Sequence, residues 1–187
     1  MTRYAAFLRG VNLGKRTVKS ADLVAAFADM GLKDVRTLIA SGNVLFDSGA
    51  AHGTETELAG RIEAGLEKAF GFDIGTVLRS MSELEAMIAA DPFRGEVEGE
   101  AQKLYVTLFA APEAERLTLP CALPGDFEVV GVRPREIFHI AWRKPDGRFS
   151  VDTQNIIWKP FGKQVLWTNR NWNTILKAVA PYNKSKK

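Results

Sequence analysis

The 187-residue chain is 46% apolar, enough for one large core or two small ones, and no apolar run is long enough to span a bilayer. Its net charge of +3 is segregated: residues 1–19 hold five cations and 153–187 hold seven, both without a carboxylate, while 20–152 carry all 22 acids against 13 cations. One cysteine, Cys121, excludes an internal disulfide and a thiolate metal cluster, and basic ends around an acidic centre favour an anionic partner.

Tyr4–Arg9 is a short apolar strand, reached without the longer apolar region of a signal peptide, so the cytoplasm is the expected setting. Ser20 is placed to cap a helix with Leu23, Phe27 and Met30 on one face and Gly31 as its stop. Val35–Ala40 and Val44–Asp47 are β-rich runs separated by the turn composition Ser41-Gly42-Asn43. Thr54–Phe70 carries Leu58, Ile62, Leu66 and Phe70 four apart and ends at Gly71. A strand over Ile74–Arg79 and a helix over Ser82–Ala90 follow, closed by Asp91-Pro92. Residues 94–102 then read as a linker, because Arg94–Glu100 is acidic, glycine-containing and aperiodic.

The second half repeats the order. Leu104–Phe109 is a strand, Pro112–Leu117 a short helix, and Phe127–Val132 and Ile137–Trp142 are strands around Arg133-Pro134-Arg135. Ser150–Lys159 reads as a helix ended by Pro160 and Gly162, Val165–Thr168 as a strand, and Asn171 as the cap of a last helix with Trp172, Ile175, Leu176 and Val179. The expected fold is therefore α+β: two ferredoxin-like βαββαβ halves, 1–93 and 103–187, each with four strands and a trailing helix. Tyr4, Ala6 and Leu8 alternate with Ala5, Phe7 and Arg9, so both faces of the first strand are largely apolar and both need cover, one by helices and the other by the companion half.

In a βαββαβ unit the end of the first strand lies beside the hairpin joining the second and third. Arg9–Lys19 and Ser41-Gly42-Asn43 are thus expected at one sheet edge. The stretch from Gly10 to Arg16 resembles a nucleotide-hydrolase loop only at first sight: three residues, not four, separate Gly10 from Gly14, and Arg16 stands where a Mg²⁺-binding hydroxyl is needed. It still suits an anion. Glycines let backbone N–H groups turn toward a ligand, Arg9, Lys15 and Lys19 add charge, and Asn12, Ser41 and Asn43 donate. The plainer alternative is a turn that Asn12 braces. A second constellation, Thr168 to Thr174, places Arg170 and Asn171 at a strand-to-helix junction, where they either hold an anion or cap the helix while Trp172 closes the core.

Other chemistry finds little support. His52 and His139 lack ligand spacing, so no metal or cofactor is expected, and no GxSxG occurs. Tyr105, Thr107 and Phe109 share a strand face that either stacks bases or, as the better reading, packs on the other half. His139 is expected to be half-buried in a sheet.

The stretches YAAFLRGVNLG, VRTLIASGNVLF, FGFDIGTVLRSMSEL and TNRNWNTILK resemble a bacterial family known as domain of unknown function 1697. The resemblance covers nearly the whole chain and implies two ferredoxin-like units, but no reaction. Many family members carry a Gly-rich Ser-Lys segment ahead of the penultimate helix; here Phe149–Asn155 has no lysine, so the resemblance does not carry an anion contact over to that region. The leading functional expectation is a module binding a phosphate-bearing small molecule, nucleotide or nucleic acid, at the first-half loops. The alternatives are an enzyme acting on a small phosphorylated or carboxylated metabolite in the groove between the halves, with Asp47 or Asp152 as acid or base, and a protein-interaction module.

Overall fold

The computed structural model describes residues 2–11, 17–39, 42–49, 53–149 and 156–184, with side chains as far as residue 180. It is an α+β protein with two antiparallel sheets. Two compact units emerge, Met1–Ala86 with Leu176–Lys187, and Met87–Ile175.

The first unit contains β1 (Arg3–Arg9), α1 (Ser20–Asp29), β2 (Lys33–Thr37), β3 (Asn43–Asp47), α2 (Glu55–Phe70) and β4 (Gly75–Ser80), and the next helix, α3 (Met81–Ala89), begins in it. The strands form one sheet in the order β2-β3-β1-β4, each neighbour antiparallel. Helix α2 starts as its sequence asks: Thr54 Oγ1 accepts from the Glu57 backbone N–H (3.2 Å) and the Glu57 carboxylate accepts from Thr54 N–H (2.7 Å). These bonds hold the Glu57 carboxyl below its usual range. Gly71, left-handed at φ 77°, ends the helix. Leu58, Ile62 and Leu66 are fully buried against Tyr4, Ala6 and Leu8 of β1 and Leu23 and Phe27 of α1. Truncating any of these α2 residues to Ala would cost about 2–5 kcal/mol. Ser20 is the first helical residue rather than the cap; Lys19 occupies the cap position and makes no side-chain cap bond.

The second unit contains β5 (Gln102–Phe109), β6 (Ala122–Leu123), β7 (Phe127–Arg133), β8 (Glu136–Trp142) and β9 (Trp167–Asn171), and α4 (Trp172–Lys184) starts in it. Its sheet has five strands, β6-β7-β8-β5-β9, not the expected four. The extra member is the two-residue edge β6, too short to show a period. The helix expected over Pro112–Leu117 is one 3-10 turn, Ala114–Arg116. Of the helix expected over Ser150–Lys159, residues 150–155 lie outside the described residues, and a second 3-10 turn spans Lys159–Phe161. One face of the sheet forms the unit's core: Phe109, Phe127, Val129, Ile137 and Ala141 pack with Ala114, Leu117, Ile157 and Phe161. Tyr105 packs on this cluster too, so the face that would stack bases is covered from within its own unit, by its 3-10 turns and loops, and not by the other half as expected. Among the described residues no helix is long and apolar enough to cross a membrane.

Candidate functional site

Strand alternation decides which side chains of the first sheet meet. Tyr4, Ala6 and Leu8 point to the helices, so Arg3, Ala5, Phe7 and Arg9 occupy the opposite face. Register then carries that face across the sheet. One row reads Arg36, Leu45, Ala5, Arg79, and the next reads Asn43, Phe7, Val77. Arg9 follows, opposite Gly75. One face of one sheet thus holds Arg3, Arg9, Arg36 and Arg79 together with Asn43.

The two ends of this face differ. At one end Arg3 is neutralised, its Nη1 donating to Asp34 (2.7 Å) and Asp47 (3.3 Å), which holds the Asp34 carboxyl below the usual carboxylate range. At the other end stand Arg9 and Asn43. Leu8 N–H donates to the Gly42 carbonyl (2.7 Å), which ties the end of β1 to the turn before β3. Gly10 and Gly42 both adopt left-handed φ, 91° and 92°, a conformation that a side chain would strain. Asn43 is buried and donates through Nδ2 to the Leu38 carbonyl (3.2 Å). Arg79 is 1% exposed, and its Nη1 donates to the Leu78 carbonyl (2.7 Å).

Arg9 and Asn43 are therefore on one face at one edge, as their sequence positions suggested. Lys19, exposed ahead of α1, stays in solvent. Asn12, Lys15 and Ser41 lie outside the described residues, as do His52 and Asp152. Arg79 was missed by sequence reasoning. Its signal was present, since a lone arginine sits in phase with Val77 in an otherwise apolar strand.

The second constellation does not form one site. Arg170 and Asn171 are consecutive residues of β9, so they point to opposite faces. Arg170 Nη1 donates to Thr168 Oγ1 (2.6 Å) and the Asn169 carbonyl (2.9 Å), and burial pushes its guanidinium down to about 10. Asn171 has a structural post instead. Its Oδ1 accepts from Asn173 N–H (3.0 Å) at the start of α4, and its Nδ2 donates to Glu98 (2.6 Å). A carboxylate already on its amide leaves no place for an anion.

On the core face of the second sheet Trp158 Nε1 donates to Thr107 Oγ1 (2.9 Å), whose hydroxyl donates on to Asn169 Oδ1 (3.2 Å). His139, expected to be half-buried, is 1% exposed, stacked on Tyr105 with centroids 5.2 Å apart, and its Nδ1 has no hydrogen-bond partner. Burial pushes its imidazole down to about 3, so it is neutral at physiological pH. Among the described residues no cluster of His, Cys, Asp and Glu could hold a metal ion.

The family pattern described as Protein of unknown function (DUF1697) matches residues 1–138. The chain belongs to this family. The conserved bacterial protein SP0830 from Streptococcus pneumoniae has a similar solved structure, with a TM-score of 0.68 at 21% identity over 96% of this chain and 97% of that one. That likeness extends to the fold alone. Among curated proteins, none matches the chain.

Proposed function

We propose that this DUF1697 protein binds a phosphate-bearing small molecule, of nucleotide size or less, at the Arg9–Asn43 edge of its first sheet. One observation carries the reading: Arg9 and Asn43 share a sheet face at the end where the left-handed Gly10 and Gly42 lie, and Arg79 stands on the same face further in, opposite Ala5. A guanidinium keeps its proton at every working pH, and fixed N–H donors beside it suit phosphate oxygens. Asn12, Lys15 and Ser41 belong to the same two loops by sequence and complete the proposed donor set. A metabolite with a phosphate is favoured over nucleic acid because the aromatic strand face that would stack bases is packed inside the second unit.

We read the fold as ferredoxin-like. The β-α-β-β-α-β order of the first unit and its strand order β2-β3-β1-β4 support this. We place the protein in the cytoplasm, a setting compatible with its one free, buried cysteine.

Calorimetric titration with inorganic pyrophosphate and ATP tests the binding. Arg9→Ala should weaken binding tenfold or more, since a charge-assisted hydrogen bond contributes about 1.5–3 kcal/mol. Lys19→Ala should weaken it less. Unchanged affinity in Arg9→Ala together with a large drop in melting temperature would make Arg9 structural and remove the site. A steep fall of oligonucleotide affinity with salt, without binding of free nucleotides, would point to a basic surface for nucleic acid instead.

A further inference from the structure

We propose a second binding site, for a small organic ammonium: a protonated amine on an apolar body, seated in a cavity on the second sheet. The inference rests on residues 92–142 and is independent of the anion site. The cavity has a volume of about 390 Å³ and lies on the sheet face opposite the core described above. Its floor is Ile140 and Trp142 of β8. Glu128 stands opposite Ile140 across the β7–β8 ladder, and Gln102 opposite Trp142 across β5–β8. A register shift between Val129 and Gly131 leaves Val130 as an additional wall residue.

The remaining wall is the loop after α3. Phe93 anchors it, wedged edge to face against Phe138 (5.8 Å) and Trp172 (5.2 Å). Gly95 N–H donates to Asp91 Oδ1 (3.0 Å). Gln102 Nε2 donates to Glu96 Oε2 (2.7 Å) and the Val97 carbonyl (2.9 Å), which fixes the Glu96 carboxylate over the sheet. Both amide hydrogens of Gln102 are thereby used, and its Oε1 remains as an acceptor.

The lining therefore offers two carboxylates, an amide oxygen, and the rings of Trp142 and Phe93. Its complement is a donor-rich cation: an ammonium supplies three N–H donors, is attracted to the face of an indole, and brings apolar surface to Ile140 and Val130. Arg94 is the one cation of the lining, and it is exposed. Glu96 and Glu128 are exposed as well, so an anionic ligand would face two like charges against one opposite.

Phenethylammonium, neutral 2-phenylethanol and anionic 3-phenylpropanoate, of closely similar size, test the assignment by saturation-transfer NMR and calorimetry on the full chain at low salt. The ammonium should bind and the other two should not. Glu128→Gln, at an exposed position that leaves folding intact, should weaken the ammonium about tenfold, the size of one charge-assisted contact. Trp142→Leu should abolish binding; if that variant fails to fold, Glu128→Gln decides alone. Equal binding of all three compounds, preference for the anion, no binding of the ammonium, or an unchanged Glu128→Gln variant would each overturn the proposal. So would binding of a lysine-bearing peptide without the free amine, which would mark the cavity as a protein-docking pocket.

Discussion

The two sheets hide polar side chains in opposite ways. The first buries a permanent charge, Arg79, on a face that also carries Arg9 and Asn43. The second also holds a charge, Arg170, but on its core face it buries groups that are neutral at working pH: His139, and Thr107, which links Trp158 to Asn169. A guanidinium out of water must be met by acceptors, and the Leu78 carbonyl is one that Arg79 finds within the sheet itself. The neutral groups pass their hydrogen bonds to one another, from Trp158 through Thr107 to Asn169. We therefore seek anion binding where Arg9 and Asn43 share a face of the first sheet, and read the core face of the second as concerned with stability.

The largest effect that would break this contrast is acid sensitivity. His139 is held at about 3 when folded, against an ordinary value near 6.5. The unfolded chain takes up the proton first as pH falls, so folding stability is complete above pH 6.5 and declines toward pH 3, by up to ~5 kcal/mol. Urea unfolding midpoints between pH 7 and 4 should fall less in His139→Phe than in the parent. Equal slopes in the two proteins would mean that the imidazole is not the neutral partner described.

Next in size is Thr107→Val, which leaves the Trp158 indole N–H without its acceptor and should cost about 1–3 kcal/mol. Denaturant unfolding measures that loss, and pyrophosphate affinity should stay unchanged. A change in affinity would dissolve the division of labour between the sheets. The smallest effect concerns the neutralised end of the first sheet. Asp34→Asn removes one partner of Arg3 at a largely exposed position and should cost less than ~1 kcal/mol, vanishing in high salt. A larger loss that persists in molar salt would show that the Arg3 end is not an ordinary surface pair.

What was legible in the sequence had a local cause. Helix α2 announced itself through four-residue spacing and a terminal glycine; its Thr54–Glu57 capping box was equally local but went unread. The meeting of Arg9 with Asn43 followed from topology plus strand alternation. At Arg170 and Asn171 the capping alternative holds, with Asn171 Oδ1 accepting from Asn173 N–H; the strand runs on past Thr168 to Asn171, and alternation separates the two side chains. The segment after α3 hid its order for another reason. It has no hydrophobic period, and its ties are side-chain bonds from Gln102 to Glu96 and from Lys103 and Asn171 to Glu98. No window that counts apolar spacing detects such ties. Leu38 and Ile39 looked like strand on composition, yet Ile39 is left-handed at φ 53° and β2 ends at Thr37.

One feature of the first sheet bears on the company this protein keeps with copies of itself. Strand β2 is an edge, and it presents Lys33, Asp34 and Arg36, with a break in register between Lys33 and Arg36 and a left-handed Asp34 at φ 49°. A second molecule adding a strand there would have to follow that kink and desolvate three charges for a handful of backbone bonds. The margin is closed to templated growth, so crowding of this chain at high concentration should not seed fibres from that side.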